Sequence, residues 1–211
     1  MPGVPARTVA TRYAVATLAV GPASTRGGRH GVSDLEWRPA GTDLPSPADD
    51  PGVLEVLATT TLALATAGPG GRPFGTPVFF AAGEDLGLVF FSDPDTLHVQ
   101  HLIGRPLAAA TIYPATGDWM EIRGLQVAGS VARILPGDGW ERAWAAYVRK
   151  FPFVADLRPI VDSSWLMVLV PEWIRLIDNR RGFGFKCEWA RGPVFEEQPW
   201  PAAEMDEAAQ G

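Results

Sequence analysis

The sequence predicts a mainly β (α+β) fold: a closed antiparallel barrel of six or seven strands with two or three peripheral helices. Three observations carry this. Short β-branched or aromatic runs follow one another across Gly- and Pro-rich turns, without the strand–helix–strand alternation of a doubly wound sheet. Helical periodicity is strong in one long stretch only, Trp140 to Phe151. A chain of 211 residues that is 46% hydrophobic and 20% charged can also bury a real core, which excludes wholesale disorder.

Each element has a local reason. Ser46-Pro47-Ala48-Asp49 supplies a hydroxyl cap, a first-turn proline and an acid at the positive end, predicting a short helix to about Leu57. Thr59 to Ala67 alternates as a first strand, and GPGGRP closes it as a turn. FGTPVFFAA gives a second strand, and LVFFS, after the Gly83–Gly87 loop, a third. Asp93-Pro94 predicts a short helix through His101 and Ile103, and Leu107 to Tyr113 a fourth strand. The run Trp119–Leu135 is a long strand in which Gly124 and Gly129 mark bulges or bends.

Beyond Pro136-Gly137-Asp138, Trp140, Trp144, Tyr147 and Phe151 fall on one helix face, a spacing that belongs to core or interface. SWLMVLV and EWIRLID read as two strands flanking a turn at Pro171, and FGFKCEW as the last. The ends differ from this body. Residues 1–45 read as a flexible leader, residues 46–191 as the folded domain and residues 192–211 as an acidic flexible tail.

Composition excludes several function classes. No apolar run reaches the roughly 20 residues that span a bilayer, so an integral membrane protein is not expected. The single cysteine does not identify a compartment; the expectation is a cytoplasmic protein with no membrane partner. A net charge of −6 with no basic stripe argues against nucleic acid as partner. The one cysteine, Cys187, excludes a disulfide framework and reads as a buried small hydrophobe. No dinucleotide-binding glycine fingerprint, phosphate-binding loop or nucleophile elbow occurs. His98 and His101 lie three apart on the short helix, but no third ligand is near, so no metal site is assigned.

The segment GRPFGTPVFFAAGEDLGLVFFSDPDTLHVQHL, Gly71 to Leu102, resembles the flavin-binding core of the pyridoxamine 5′-phosphate oxidase-like, FMN-binding split-barrel superfamily. EIRGLQVAGSVARI looks like its second core strand pair. Thr96-x-His98, Ala146-Tyr147-x-x-x-Phe151-Pro152 and Asp178-Asn179-x-x-Gly182-Phe183-Gly184 are similar to its small uncharacterised bacterial branch, the YhbP-like proteins. The likeness covers about residues 47 to 190.

This resemblance implies a homodimer of split β-barrels with a cofactor cleft at the subunit interface. It implies FMN contacts from Thr76, Pro77, Val78 and Phe79 along the ring, and from Ser92, Thr96, Leu97 and His98 at the phosphate. Arg123 and Trp119 complete the expected binding set. The pattern also departs from the family. Thr76, Ala81, Leu97 and His98 stand where pyridoxamine 5′-phosphate oxidases carry Arg, Lys, Arg and Lys, so oxidation of pyridoxamine phosphate itself is not expected. Another cation, from Arg72, Arg123, Arg175 or Arg180, could substitute.

The leading reading is therefore an FMN-dependent oxidoreductase of unknown small-molecule substrate, with no catalytic side chain assigned because the flavin carries the chemistry. The second reading is a non-enzymatic carrier or sensor that binds haem or deazaflavin F420 in the same cleft, with His98 as the helix-borne haem ligand.

Overall fold

The computed structural model describes residues 15–16, 36–39, 44–83 and 85–191. The tail assigned to residues 192–211 and most of the leader assigned to residues 1–45 lie outside the described residues. In chain order the strands are β1 (Val15–Ala16), β2 (Arg38–Pro39), β3 (Thr61–Ala67), β4 (Pro73–Phe79), β5 (Ala81–Ala82) and β6 (Leu88–Ser92), then β7 (Leu107–Ile112), β8 (Arg123–Ile134), β9 (Trp165–Asp178) and β10 (Lys186–Ala190). The helices are α1 (Pro51–Leu57), α2 (Leu97–Gly104), α3 (Asp138–Lys150) and α4 (Arg158–Ser163).

All pairings are antiparallel, and the main path runs β2-β10-β9-β8-β7-β3-β4. From β9 the sheet also branches to β6, which pairs β5. The expected closed ring is absent. β4 pairs β3 while β5 pairs β6, and between them the chain bends at Phe80, so the barrel is split there. Among the described residues no strand lies beyond β4, and Pro73 and Pro77 suit such an edge because neither has an N–H to offer a ladder.

Two core clusters follow from strand alternation. Leu62, Leu64, Phe80, Phe90, Ile112, Leu125, Leu176 and Trp189 fill the barrel. Val89, Leu166 and Val168 face out from β6 and β9 and are covered by Ala143, Tyr147 and Phe151. β6 and the first part of β9, Leu166–Leu169, are therefore buried on both faces and read as nearly continuous apolar runs, whereas β9 beyond Val170 alternates. The aromatic face of α3 is core, as its spacing implies, with Trp140 and Trp144 packed at the margin of this second cluster.

Several boundaries differ from the sequence reading. Helix α1 starts later than Ser46, because Asp50 is the effective cap: its carboxylate accepts from the N–H groups of Gly52 (2.8 Å) and Val53 (3.2 Å). The stretch from Trp119 opens with a helical turn, Trp119–Glu121, before β8 begins. Pro171 is no turn; it lies within the continuous β9. The ladder to β8 slips between Ala128 and Gly129, and that bulge sets Gly129 opposite Pro171. A side chain on Gly129 would collide with the Val170 carbonyl, which explains the glycine. No described helix is long and apolar enough to cross a membrane.

Candidate functional site

The loop from β6 to α2 is built almost entirely by its own hydrogen bonds. Asp93 accepts from Asp95 N–H at its side chain (2.7 Å), and its carbonyl accepts from Thr96 Oγ1 (2.7 Å). Gln100 Nε2 donates to the Pro94 carbonyl at 2.7 Å. Ser92 Oγ is hydrogen-bonded to His98 Nε2, and Thr96 Oγ1 lies 3.4 Å from the same nitrogen. His98 is only 6% exposed, so in the single chain its ring lies beneath the loop. Burial, aided by the nearby His101, holds its pKa below the ordinary histidine value, so the ring stays neutral near pH 7.

This changes what the loop can hold. The Ser92 and Thr96 hydroxyls are engaged inside it, Leu97 is 52% exposed, and the loop's exposed charges are the carboxylates of Asp93 and Asp95. A phosphate dianion placed there would meet two acids and no cation, the opposite of charge-assisted binding.

Beside the loop lies a pocket of about 310 Å³ lined by Arg72, Phe74, Leu97 and His101 and floored by Gly68 and Pro69. His101 Nδ1 is hydrogen-bonded to Thr66 Oγ1 at 3.1 Å, and Phe74 meets the imidazole edge-on with 5.9 Å between centroids. Gly68 makes room for this ring: a Cβ there would sit 2.7 Å from His101 Nε2. Arg72 is exposed and has no ion pair with any described residue. His101 does not belong to the sequence-derived binding set, and Arg72 enters it only as one of four arginines that could substitute for the missing cations. The three-residue spacing of His98 and His101 was the available signal, and burial decides that His101, not His98, lines the pocket.

The strand residues divide by face. Thr76 and Val78 are half-buried on the side of Phe74, whereas Pro77 and Phe79 point outward, Phe79 being 49% exposed. The β4 edge passes from Pro73 in the pocket along Thr76 to Phe79.

Arg123 and Trp119 lie elsewhere. Arg123 binds Glu55 at 3.0 Å and approaches Glu121 at 3.9 Å; Trp119 packs edge-on against Phe183 with 5.4 Å between centroids. Arg123 pairs Asp178 at one end of β9, whereas Ser92 pairs Trp165 at the other. The strand between them spans on the order of 40 Å. One chain therefore does not bring the two halves of the candidate set together. Arg175 and Arg180 are held by Glu188 (2.6 Å) and by Asp178 (2.9 Å) with Glu55 (2.8 Å), which leaves Arg72 as the available stand-in cation of the four.

Comparison with known proteins agrees with this architecture. The family model described as pyridoxamine 5′-phosphate oxidase matches residues 53–178. A UPF0306 protein of Klebsiella pneumoniae is 32% identical over 120 residues, 56% of this chain and 78% of the relative. Among solved structures, a haem-binding protein from Mycobacterium smegmatis superposes with a TM-score of 0.57 at 22% identity, over 71% of this chain and 60% of that one. The haem storage protein HutZ of Vibrio cholerae superposes with a TM-score of 0.52 at 19% identity, over 58% of this chain and 89% of its own. The chain thus spans less than two thirds of the Mycobacterium protein. At these identities the structural likenesses establish the fold.

Proposed function

The chain belongs to the pyridoxamine 5′-phosphate oxidase family, and on that premise we propose that it is a flavin-binding protein acting as an oxidoreductase on a small molecule. The observation that carries this reading is Arg72, a cation without a described acidic partner, set in a pocket beside the open edge of β4. Arg72 would hold the cofactor's anionic group with charge-assisted bonds, and the β4 edge offers backbone donors and acceptors to the polar rim of a flat ring. Phe74 and the exposed Leu97 supply apolar surface for its body. FMN, once bound, supplies hydride chemistry, and the protein supplies position and electrostatics. With one cation in place of several, the predicted affinity is modest.

The complete site needs two copies. Thr76–Phe79 and the Arg72 pocket of one protomer would be faced by Trp119 and Arg123 of the partner subunit, which a single chain holds at the far end of β9. Two-fold pairing is the commonest way to juxtapose opposite ends of one fold.

A second reading is haem binding, and His101 is the observation that favours it. This ring lines the pocket with Nδ1 held by Thr66; its Nε2 is aimed at Gly68, so ligating iron would require the ring to swing from that glycine into the pocket, after which it could take the axial role familiar for histidine. His98, the residue first assigned that role, is buried and bonded to Ser92. The two haem proteins of similar fold fit this alternative.

One spectrum separates the readings. Purified protein titrated with FMN should show flavin absorption bands and quenched flavin fluorescence at saturation. A Soret band after haem addition, abolished by His101→Ala, with no uptake of FMN, would establish the second reading. Uptake of neither cofactor would reject both.

A further inference from the structure

On another flank of the barrel, α1, Ala81–Gly83 with Leu86, and the end of α3 surround a second, larger cavity of about 730 Å³. Its walls are chiefly aliphatic, including Leu54, Leu57, Ala82, Leu86 and Ala146. Its described charged groups are Asp49, Arg149 and Lys150. We propose that this cavity binds an aliphatic carboxylate, its headgroup on Lys150 and Arg149 and its chain along the leucine and alanine walls.

Lys150 is the centre of the argument. Its ammonium donates to the Leu57 carbonyl at 2.9 Å and lies 3.9 Å from the centroid of Phe80. One of three N–H donors is thereby used, and no described carboxylate lies within ion-pair distance. Burial pulls its pKa down to about 8, the signature of an ammonium short of compensation. A lysine that only served the negative end of α3 would gain that interaction from water, with no desolvation to offset. Arg149, its exposed neighbour, has no described ion pair either.

The charge balance selects the ligand. Two cations against Asp49 leave one net positive charge on the cavity, which suits a monoanion better than a phosphate dianion. The aliphatic walls then favour an alkyl chain over a polar body. This site shares no residue with the Arg72 pocket, so the inference stands whichever cofactor that pocket takes.

The test is calorimetric titration of the full chain with decanoate, decan-1-ol and decylamine, all below their aggregation limits. Decanoate is expected to saturate one site per chain, with decanol about tenfold weaker and decylamine weaker still. Arg149→Gln, a surface change that should not disturb folding, and Lys150→Gln are each expected to weaken decanoate by about tenfold while leaving decanol unchanged. Leu54→Trp, which fills the aliphatic wall, should weaken both ligands. Acetylation of Lys150 by acetic anhydride, read by mass spectrometry, should be slowed by decanoate in the unmodified sequence. Equal affinity for decanoate and decanol, no saturable decanoate binding at millimolar concentration, or indifference to both cation substitutions would each overturn the proposal.

Discussion

Ser92 Oγ and His98 Nε2 are hydrogen-bonded to each other beneath the loop that joins β6 to α2. This bond turns a motif with the look of a phosphate cradle into a structural clamp. It ties the last residue of a buried strand to the first turn of the helix, and it spends both polar groups internally.

His98→Ala should therefore act on stability. It would leave Ser92 without its partner in a buried position, at a cost of about 1–3 kcal/mol in urea unfolding of cofactor-free protein. FMN affinity should change by less than about twofold, since no ligand bond is lost. The reverse pattern, unchanged stability with lost affinity, would restore the phosphate-loop assignment.

The same histidine gives a pH signature. Its folded-state pKa lies below the unfolded value, chiefly through burial and then through His101, so the unfolded chain takes up a proton first on acidification. The stability from this group is fully present above the unfolded value, near 6.5, and declines as pH falls from there toward the lower folded value. Unfolding free energies at pH 7.5 and 5.5 should converge in His98→Phe relative to the unmodified protein. An identical pH slope in both would show that other groups carry it.

Arg72→Gln tests the pocket from the opposite side. Because the side chain is exposed and has no described ion pair, the melting temperature of cofactor-free protein should move little. FMN affinity should fall about tenfold, the scale of one charge-assisted hydrogen bond. Riboflavin, which lacks the phosphate, should bind both forms equally. A similar loss for riboflavin would place Arg72 at the ring and not at the phosphate.

These two residues show what a sequence discloses. The succession of strands and the aromatic face of α3 are legible because hydrophobic period and turn residues are local signals, whereas the edge position of β4 is a matter of sheet order and emerges only from the fold. The Gly129 bulge was legible too, since a glycine inside a strand marks close approach of backbone. Pro171 misled because a proline in a strand normally ends it. Here the bulge opposite lets the ladder continue past a missing N–H. The choice between His98 and His101 depends on burial, which is set by residues 35 positions away at Thr66 and by the packing of α2. Arg72 stands out only once Arg123, Arg175 and Arg180 are seen to be taken by Glu55, Glu188 and Asp178, pairings that sequence spacing does not encode.

The Asp178-Asn179-Arg180-Arg181 stretch supports the fold more than the chemistry. Asp178 is 1% exposed and accepts from Arg180 Nε at 2.9 Å and from Arg180 N–H at 3.1 Å, while Arg181 binds the Asp50 cap at 2.9 Å. Arg180's hydrogen bond holds the Asp178 carboxyl below its ordinary value. A depressed folded pKa stabilises above the unfolded value of 3.8, and that stabilisation is lost as pH falls through the folded value. Asp178→Asn should cost about 2–3 kcal/mol at pH 7, less than a fully buried pair because the arginines are partly solvated. The deficit should shrink as pH falls below the unfolded value of 3.8 and through the lower folded value, where the carboxyl in the unmodified protein also becomes neutral. A constant deficit across that range would mean that packing, not charge, is what Asp178 contributes.

The last prediction concerns the second copy. The outward face of β4, β3, β7 and β8 is unusually small and flat: Pro77 pairs Ala63, Gly75 pairs Ala65, Ala65 pairs Ala109 and Ala109 pairs Ala128. Pro77, Gly75, Ala63, Ala65 and Ala109 are all exposed, and no described helix packs over them. Close approach of two such sheets would bury an apolar surface that a solvated sheet would fill with polar side chains. A two-fold axis there would carry one protomer's Arg72 pocket toward the partner's Trp119 end. Sedimentation of the unmodified protein at micromolar concentration should thus show a dimer. Ala109→Glu would set two like charges near each other across the axis and should give a monomer. Its melting temperature should shift little beyond the loss of dimer linkage, because the residue faces away from both cores. FMN binding should fall with the dimer, whereas Ala155→Glu, an exposed change between α3 and α4, should alter neither property. A monomeric unmodified protein that still binds FMN at full affinity would remove the partner's Trp119 and Arg123 from the site and confine the cofactor to the pocket of one chain.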